Sequence, residues 1–460
     1  LTMHGSIQDF QKIFFIGVAG TGMSALAQYL KGIGKEVSGS DRYFSKGEAL
    51  DVREKLKGEG ISCFPQDGSG ITAEIDLVVV STAIEDTVEE VQKSKALNIP
   101  IIRRSELLAM ICASKRSIAV GGTSGKSTTS AMIFDILQDA GLEPSIISGA
   151  GLTRIIKEGK IGNAKVGRGD WLVIEADESD GSIVQYHAEI GLLLNVDKDH
   201  KEIDVLMDIF KTFREHSQKF IVNRSHPLAA SLSADASLDF AHDPGTGAGF
   251  EGADFLQQGL ETTFTINSVP FSLHAIGKHN MENAVAAATV AACAGVPLET
   301  SVRALSHYEG IYRRHQVWGQ KDGVVLIDDY AHNPVKCAAS IRACQPVAPK
   351  LIAWFQPHGY APTKFLRQDF IDEISAAVRP GDEVWMSEIF YAGGTATKDI
   401  SANDLIQDLK QRGVQAYFVE DRKDLVDTLR PHFTDDCVLL LMGARDPSLE
   451  HFAAEVWQQL

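Results

Sequence analysis

Short unbroken apolar runs recur along the chain, each followed by a glycine-rich or acidic turn and then by helical spacing. Residues 12–16 form the first run, and Leu26, Ala27, Leu30 and Ile33 then fall on one helical face over 23–33. Residues 36–40 read as a second strand, 76–80 is a continuous apolar run, the mark of a buried parallel strand, and 100–102 reads as another. A second series starts at 118–120, predicts a helix reaching 137, and adds strands at 171–175 and 191–195. Residues 234–259 are rich in Ala, Gly, Asp and Ser and read as loops or short strands, whereas 280–294 reads as an Ala-rich helix. A third series places strands at 324–328, 351–354, 383–386, 415–419 and 438–441. The pattern predicts an α/β protein of three units, 1–113, 114–318 and 319–460, each built on a mostly parallel sheet.

Composition narrows the function. The chain has 460 residues, 44% hydrophobic and 23% charged, which fits a globular protein of several domains. Its net charge of −17 repels a phosphate backbone, so no nucleic-acid partner is expected. No apolar run is long enough to span a bilayer, so no membrane insertion is expected. Residues 1–9 carry His, Asp and Gln and lack an apolar core, so no secretory signal is expected. Six scattered cysteines without a CxxC pair read as buried thiols of a cytoplasmic protein.

The most specific chemical signal is Gly122-Thr123-Ser124-Gly125-Lys126-Ser127-Thr128, set between strand and helix. Backbone N–H groups of such a loop surround phosphate oxygens, the lysine reaches the β- and γ-phosphates, and the serine hydroxyl ligates Mg²⁺. Val120 stands where the full phosphate-loop spacing has a glycine, so this is a compact variant. Glu175 ends the next buried strand and opens the acidic run 175–180, a source of hard oxygen ligands for Mg²⁺. His200 closes the run 195–200 after the following strand, either as a second metal ligand or as a structural histidine.

Other clusters are less specific. Gly17, Gly20, Thr21, Gly22, Met23 and Ser24 form a GxxGxG turn, not the GxGxxG of dinucleotide folds. With Asp41 at the end of the next strand, that turn suits a nucleotide sugar, a dinucleotide or a plain structural turn. His279, Asn280 and Asn283 suit an adenine edge or an ordinary helix start. Arg314 and Asp329 read as a γ-phosphate clamp and an amine or ribose acceptor, or as a domain-interface ion pair. His358, Tyr360 and Arg445 follow predicted strands, where open α/β sheets bind ligands.

In order, the segments GVAGTGMSALA, SGSD, VVVSTAI, GGTSGKSTT, EADESD, GKHNMENA, RRH, DDYAHNP and FQPH resemble the Mur ligase family over nearly the whole chain. The resemblance implies a Rossmann-like first domain for a UDP sugar, a central phosphate-loop ATPase domain and a Rossmann-like third domain for an amino acid. It implies ATP and Mg²⁺ as cofactors, and UDP-N-acetylmuramate plus an amino acid or peptide as substrates, in a monomer or homodimer. It carries the catalytic roles to Lys126, Glu175, His200 and Arg314, with Ser127, Glu175 and His200 as metal ligands. ATP contacts fall on 122–128, His279, Asn280, Asn283, Arg314 and Asp329. UDP-sugar contacts fall on the 17–24 loop, Asp41 and Ser81. Amino-acid contacts fall on His358, Tyr360 and Arg445. The alanine-adding branch resembles the chain most closely, and the branch adding a recycled tripeptide is the near alternative. A nucleotide-binding module without ligase activity is the alternative of another class. Two departures stand out: the branch usually carries a histidine at Ser124 and an arginine at Gly359.

Overall fold

The computed structural model describes residues 5–81, 85–197, 201–391, 393–444 and 446–460. Three open α/β sheets appear in chain order. The first comprises β1 (Lys12–Ile16), β2 (Glu36–Asp41), β3 (Ser62–Pro65), β4 (Leu77–Val80) and β5 (Ile101–Arg103), all parallel, in the order β3-β2-β1-β4-β5. Phe14, Phe15 and Ile16 of β1 are fully buried because helices cover both faces of this sheet. The strand order reverses between β1 and β4, so a crevice opens there at the C-terminal edge, beside the turn before helix Thr21–Gly32.

The second sheet comprises β6 (Arg116–Gly121), β7 (Ser145–Ile147), β8 (Ala164–Lys165), β9 (Trp171–Glu175), β10 (Ile190–Leu193) and β11 (Lys219–Val222). Its order is β11-β10-β6-β9-β7-β8, with only β8 antiparallel to its neighbour. Central β6 feeds the phosphate loop and helix Lys126–Asp139, against which the Ala-rich helix Lys278–Cys293 packs. A small sheet follows, ordered β12 (Phe240–Ala241), β13 (Phe250–Gln258), β14 (Glu261–Ile266) and β15 (Val269–Leu273). The stretch 234–259, read as loops or short strands, holds the two-residue β12 and the longer β13. β13 runs nine residues, but only Gly252 of it is buried and Asp254, Phe255 and Leu256 are exposed in a row, so no buried-and-exposed alternation marks the strand.

The last sheet comprises β16 (Gln316–Lys321), β17 (Val324–Asp329), β18 (Lys350–Phe355), β19 (Glu383–Met386), β20 (Gln415–Phe418) and β21 (Cys437–Met442), ordered β16-β17-β21-β18-β19-β20. β16 alone is antiparallel, paired to β17. The chain divides into two compact units. One holds the first two sheets, and the other runs from Tyr312 to Leu460 together with Leu256–Thr262 and His274–Gly277. Of the six cysteines, Cys112, Cys337, Cys344 and Cys437 are buried as expected, while Cys63 and Cys293 are only half-buried; all are free thiols. Among the described residues no helix is long and apolar enough to cross a membrane.

Candidate active site

The loop after β6 meets two glutamates, one at the end of β9 and one just past it. Lys126 begins its helix, and its Nζ lies 2.8 Å from Glu178 Oε2. The buried Ser127 hydroxyl donates to Glu175 Oε1, and Glu175 Oε2 accepts from Gly149 N–H and, at 3.3 Å, from Ser148 Oγ. Lys126, Ser127 and Glu175 are thus brought together at the ends of adjacent parallel strands β6 and β9. A hydroxyl and a carboxylate side by side are hard oxygen donors, so this pair fits Mg²⁺. Thr128 is half-buried one position further into the helix.

Asn195, just beyond β10, templates the rest of the loop. Its Oδ1 accepts from Thr123 N–H at 2.9 Å, from Ser124 N–H at 3.0 Å and from Thr123 Oγ1 at 2.8 Å. Its Nδ2 donates to Ser124 O at 3.0 Å. Gly125 sits at φ 86°, and a Cβ there would stand 2.6 Å from Asn283 Oδ1, so the position needs glycine. That contact brings Asn283 to the phosphate loop. Asn280 is buried one turn earlier, and His279 is exposed. His200 lies outside the described residues.

In the first sheet, Gly17 N–H and Val18 N–H both donate to Ser40 O, at 2.8 and 2.9 Å. Asp41 is buried; one carboxylate oxygen accepts from Ala19 N–H at 3.0 Å and the other from Tyr43 N–H at 2.9 Å. Asp41 therefore shapes the glycine turn from beneath. Gly20 and Thr21 are exposed, Gly22 and Ser81 half-exposed, and Met23 and Ser24 buried. Ser24 Oγ donates to Thr21 O and accepts from Asn163 Nδ2 at 3.0 Å. Arg104 covers this turn: its Cδ lies 3.0 Å and its Nη1 3.2 Å from where a Gly22 Cβ would be, and its Nη2 is 3.7 Å from Asp180 Oδ2.

In the other unit, Arg314 is exposed at the start of the segment leading into β16. Asp329, at the end of β17, accepts from His315 N–H and Ser340 Oγ, at 2.9 and 2.8 Å. His358 and Gly359 follow β18 and bridge to Phe390; the Tyr360 ring lies 5.3 Å from that of Tyr391. Arg445 lies outside the described residues. Four residues that motif reading did not single out emerge here: Asn195, Glu178, Arg104 and Ser340. Asn195 and Glu178 stand inside the two acidic runs and Arg104 beside a second arginine, so the signal was position in a known segment; Ser340 carried none.

Three family models match the chain: the Mur ligase family catalytic domain over 12–116, the Mur ligase middle domain over 120–291 and the Mur ligase glutamate ligase domain over 313–445. A UDP-N-acetylmuramate–L-alanine ligase of Bdellovibrio bacteriovorus is 35% identical over 435 residues, covering 90% of this chain and 91% of that protein. One from Clostridium kluyveri is 34% identical, covering 95% and 96%. The fold is that of the UDP-N-acetylmuramate-alanine ligase of Thermotoga maritima, with a TM-score of 0.79 at 23% identity, covering 97% of this chain and 98% of that one. A murein peptide ligase of Psychrobacter arcticus matches less well, with a TM-score of 0.63 at 18% identity over 97% and 98%. Whole-chain family matches and relatives of this identity establish that the chain belongs to the Mur ligase family.

Proposed function

We propose that this chain joins L-alanine to UDP-N-acetylmuramate with hydrolysis of ATP, in cytoplasmic peptidoglycan precursor synthesis. The observation that carries the reading is the Lys126, Ser127 and Glu175 cluster, a phosphate loop facing hard oxygen donors, in a chain 35% identical to a ligase of that name. Residues 1–113 hold the UDP sugar, 114–318 hold ATP and 319–460 bring the amino acid.

The sugar carboxylate attacks the γ-phosphorus in line, giving an acyl phosphate and ADP. The amine then attacks the acyl carbon and expels phosphate. A carboxylate is a poor electrophile, and phosphorylation supplies its leaving group. Lys126 and Arg314 spread the charge of the transferring phosphoryl group. Ser127, Glu175 and His200 would hold Mg²⁺, which neutralises phosphate charge when bound. His279, Asn280, Asn283 and Asp329 contact ATP, the 17–24 loop with Asp41 and Ser81 contacts the UDP sugar, and His358, Tyr360 and Arg445 contact the amino acid. The attacking amine must be neutral, and a free amino acid carries its amine as the ammonium form at neutral pH, so the closed site has to favour its deprotonated form.

Phosphate release from ATP and Mg²⁺ with UDP-N-acetylmuramate, scanned over single amino acids and the wall tripeptide, tests the reading. Turnover with L-alanine and a product of matching mass supports it. The glycine at 359 favours one rival, a ligase for the tripeptide or another amine, and turnover with those alone would replace L-alanine as substrate. Nucleotide binding without any product would leave a module lacking ligase activity.

A further inference from the structure

Arg314 stands between two residues in a backbone region that side chains rarely occupy: Arg313 at φ 56° and His315 at φ 41°. Such residues persist only where surrounding contacts hold them. Each has its own anchor. Arg313 is buried; its Nε donates to Asp328 Oδ2 at 3.1 Å and its Nη2 to Gly443 O at 2.8 Å. His315 N–H donates to Asp329 Oδ1 at 2.9 Å. Its Nε2 lies 2.9 Å from Ser340 Oγ, and Ser340 Oγ donates to Asp329 Oδ2 at 2.8 Å.

The hydroxyl has one proton, and the carboxylate takes it. Ser340 Oγ is therefore the acceptor of the imidazole bond, and His315 Nε2 carries a hydrogen. Backbone and side chain of His315 thus close a ring on one carboxylate at the C-terminal end of β17. Ser340 is buried in helix Pro334–Cys344, which fixes the ring to the sheet. Between the two anchors the Arg314 side chain is the exposed member.

We infer that His315, acting through Ser340 and Asp329, is a positioning residue that presets the backbone presenting Arg314 to the transferring phosphoryl group. The inference rests on the phosphoryl-transfer role proposed for Arg314. Preset charge is what such a reaction needs, because a donor already oriented is not reorganised at the moment of transfer.

The test is a double-mutant cycle in the full chain, read as kcat and KM for phosphate release, with melting temperatures recorded. His315→Ala and Ser340→Ala should each lower kcat about tenfold, with KM for UDP-N-acetylmuramate within about twofold. His315→Gln, whose amide nitrogen reaches near the Nε2 position, should restore most of the loss. In the Arg314→Lys background, His315→Ala should cost less than about twofold, because the group it positions is already gone. Equal losses in both backgrounds, or a lowered melting temperature with kcat unchanged, overturn the positioning role while leaving Arg314 in place. An Arg314→Lys enzyme with unaltered kcat refutes the assignment of Arg314 itself, and the inference with it.

Discussion

Lys126 and Glu178 form an ion pair of 2.8 Å whose carboxylate side chain is only 7% exposed. Lys126 is thus held on an acidic partner just past the end of the adjacent strand β9. With ATP bound as proposed, its phosphates and Glu178 compete for one ammonium group. Glu178→Gln removes the competitor's charge, so the dissociation constant for ATP should fall by about three- to tenfold, on the order of 1 kcal/mol. Calorimetric titration with ATP checks this, and weaker binding would mean that Glu178 helps to hold the nucleotide. Lys126→Ala should abolish ATP turnover while UDP-sugar binding stays near normal.

Arg104 stands at the other loop. Its guanidinium lies over Gly22, in the first turn of helix Thr21–Gly32, where free backbone N–H groups already favour an anion. A planar fork beside such a turn suits a diphosphate. Arg104→Ala should raise KM for UDP-N-acetylmuramate at least about tenfold, and Arg104→Lys should recover part of it. The ATP dissociation constant should not move. An unchanged KM for the sugar nucleotide would reduce Arg104 to its contact with Asp180.

Gly359 tests why an arginine is absent. Its φ is 74°, its N–H donates to Phe390 O at 2.8 Å, and a Cβ would meet Pro362 Cδ at 3.1 Å. A side chain here is strained by roughly 1–2 kcal/mol before its charge can act. Gly359→Arg should therefore lower the melting temperature without lowering KM for L-alanine. A lower KM at unchanged stability would show that the turn accepts the arginine after all.

The parallel strands were legible because unbroken runs such as those of β1, β4 and β21 have no other place to go than a covered sheet. The phosphate loop was legible because its glycines, lysine and hydroxyl are fixed by local geometry. What escaped depends on contacts distant in sequence. Asn195 shapes the loop at Thr123 and Ser124 across 72 and 71 positions of chain. Ser124, which departs from the branch's usual histidine, engages Asn195 through both its N–H and its hydroxyl. The length of β13 escaped for a different reason, since a largely exposed strand with Gly and Gln has no strong period. Asp41 was legible by its place at the end of β2, but its bonds to the backbone of Ala19 and Tyr43, which hold the glycine turn, were not.

Glu90 sets a pH dependence on the first sheet. It is fully buried, its Oε1 accepts from Ser40 Oγ at 2.6 Å, and its Oε2 has no hydrogen-bond partner among the described residues. Burial pushes its carboxyl up to about 7; the Ser40 bond opposes this, and Asp67, Glu89 and Asp41 add to it. An acid whose folded value exceeds its unfolded value keeps its proton longer in the folded state, so stability falls as pH rises. The cost is absent below the unfolded value of about 4.3, grows between there and pH 7, and is fully present above, on the order of 3 kcal/mol. Glu90→Gln removes the ionisation but keeps the shape. Between pH 5 and 8 the melting temperature of the wild-type chain should therefore fall relative to that of Glu90→Gln, and the gap should be flat below about pH 4.3. Parallel curves across pH 5–8 would mean that Glu90 ionises in the folded chain as easily as in water, with a relaxed pocket or an entering water molecule meeting its second oxygen.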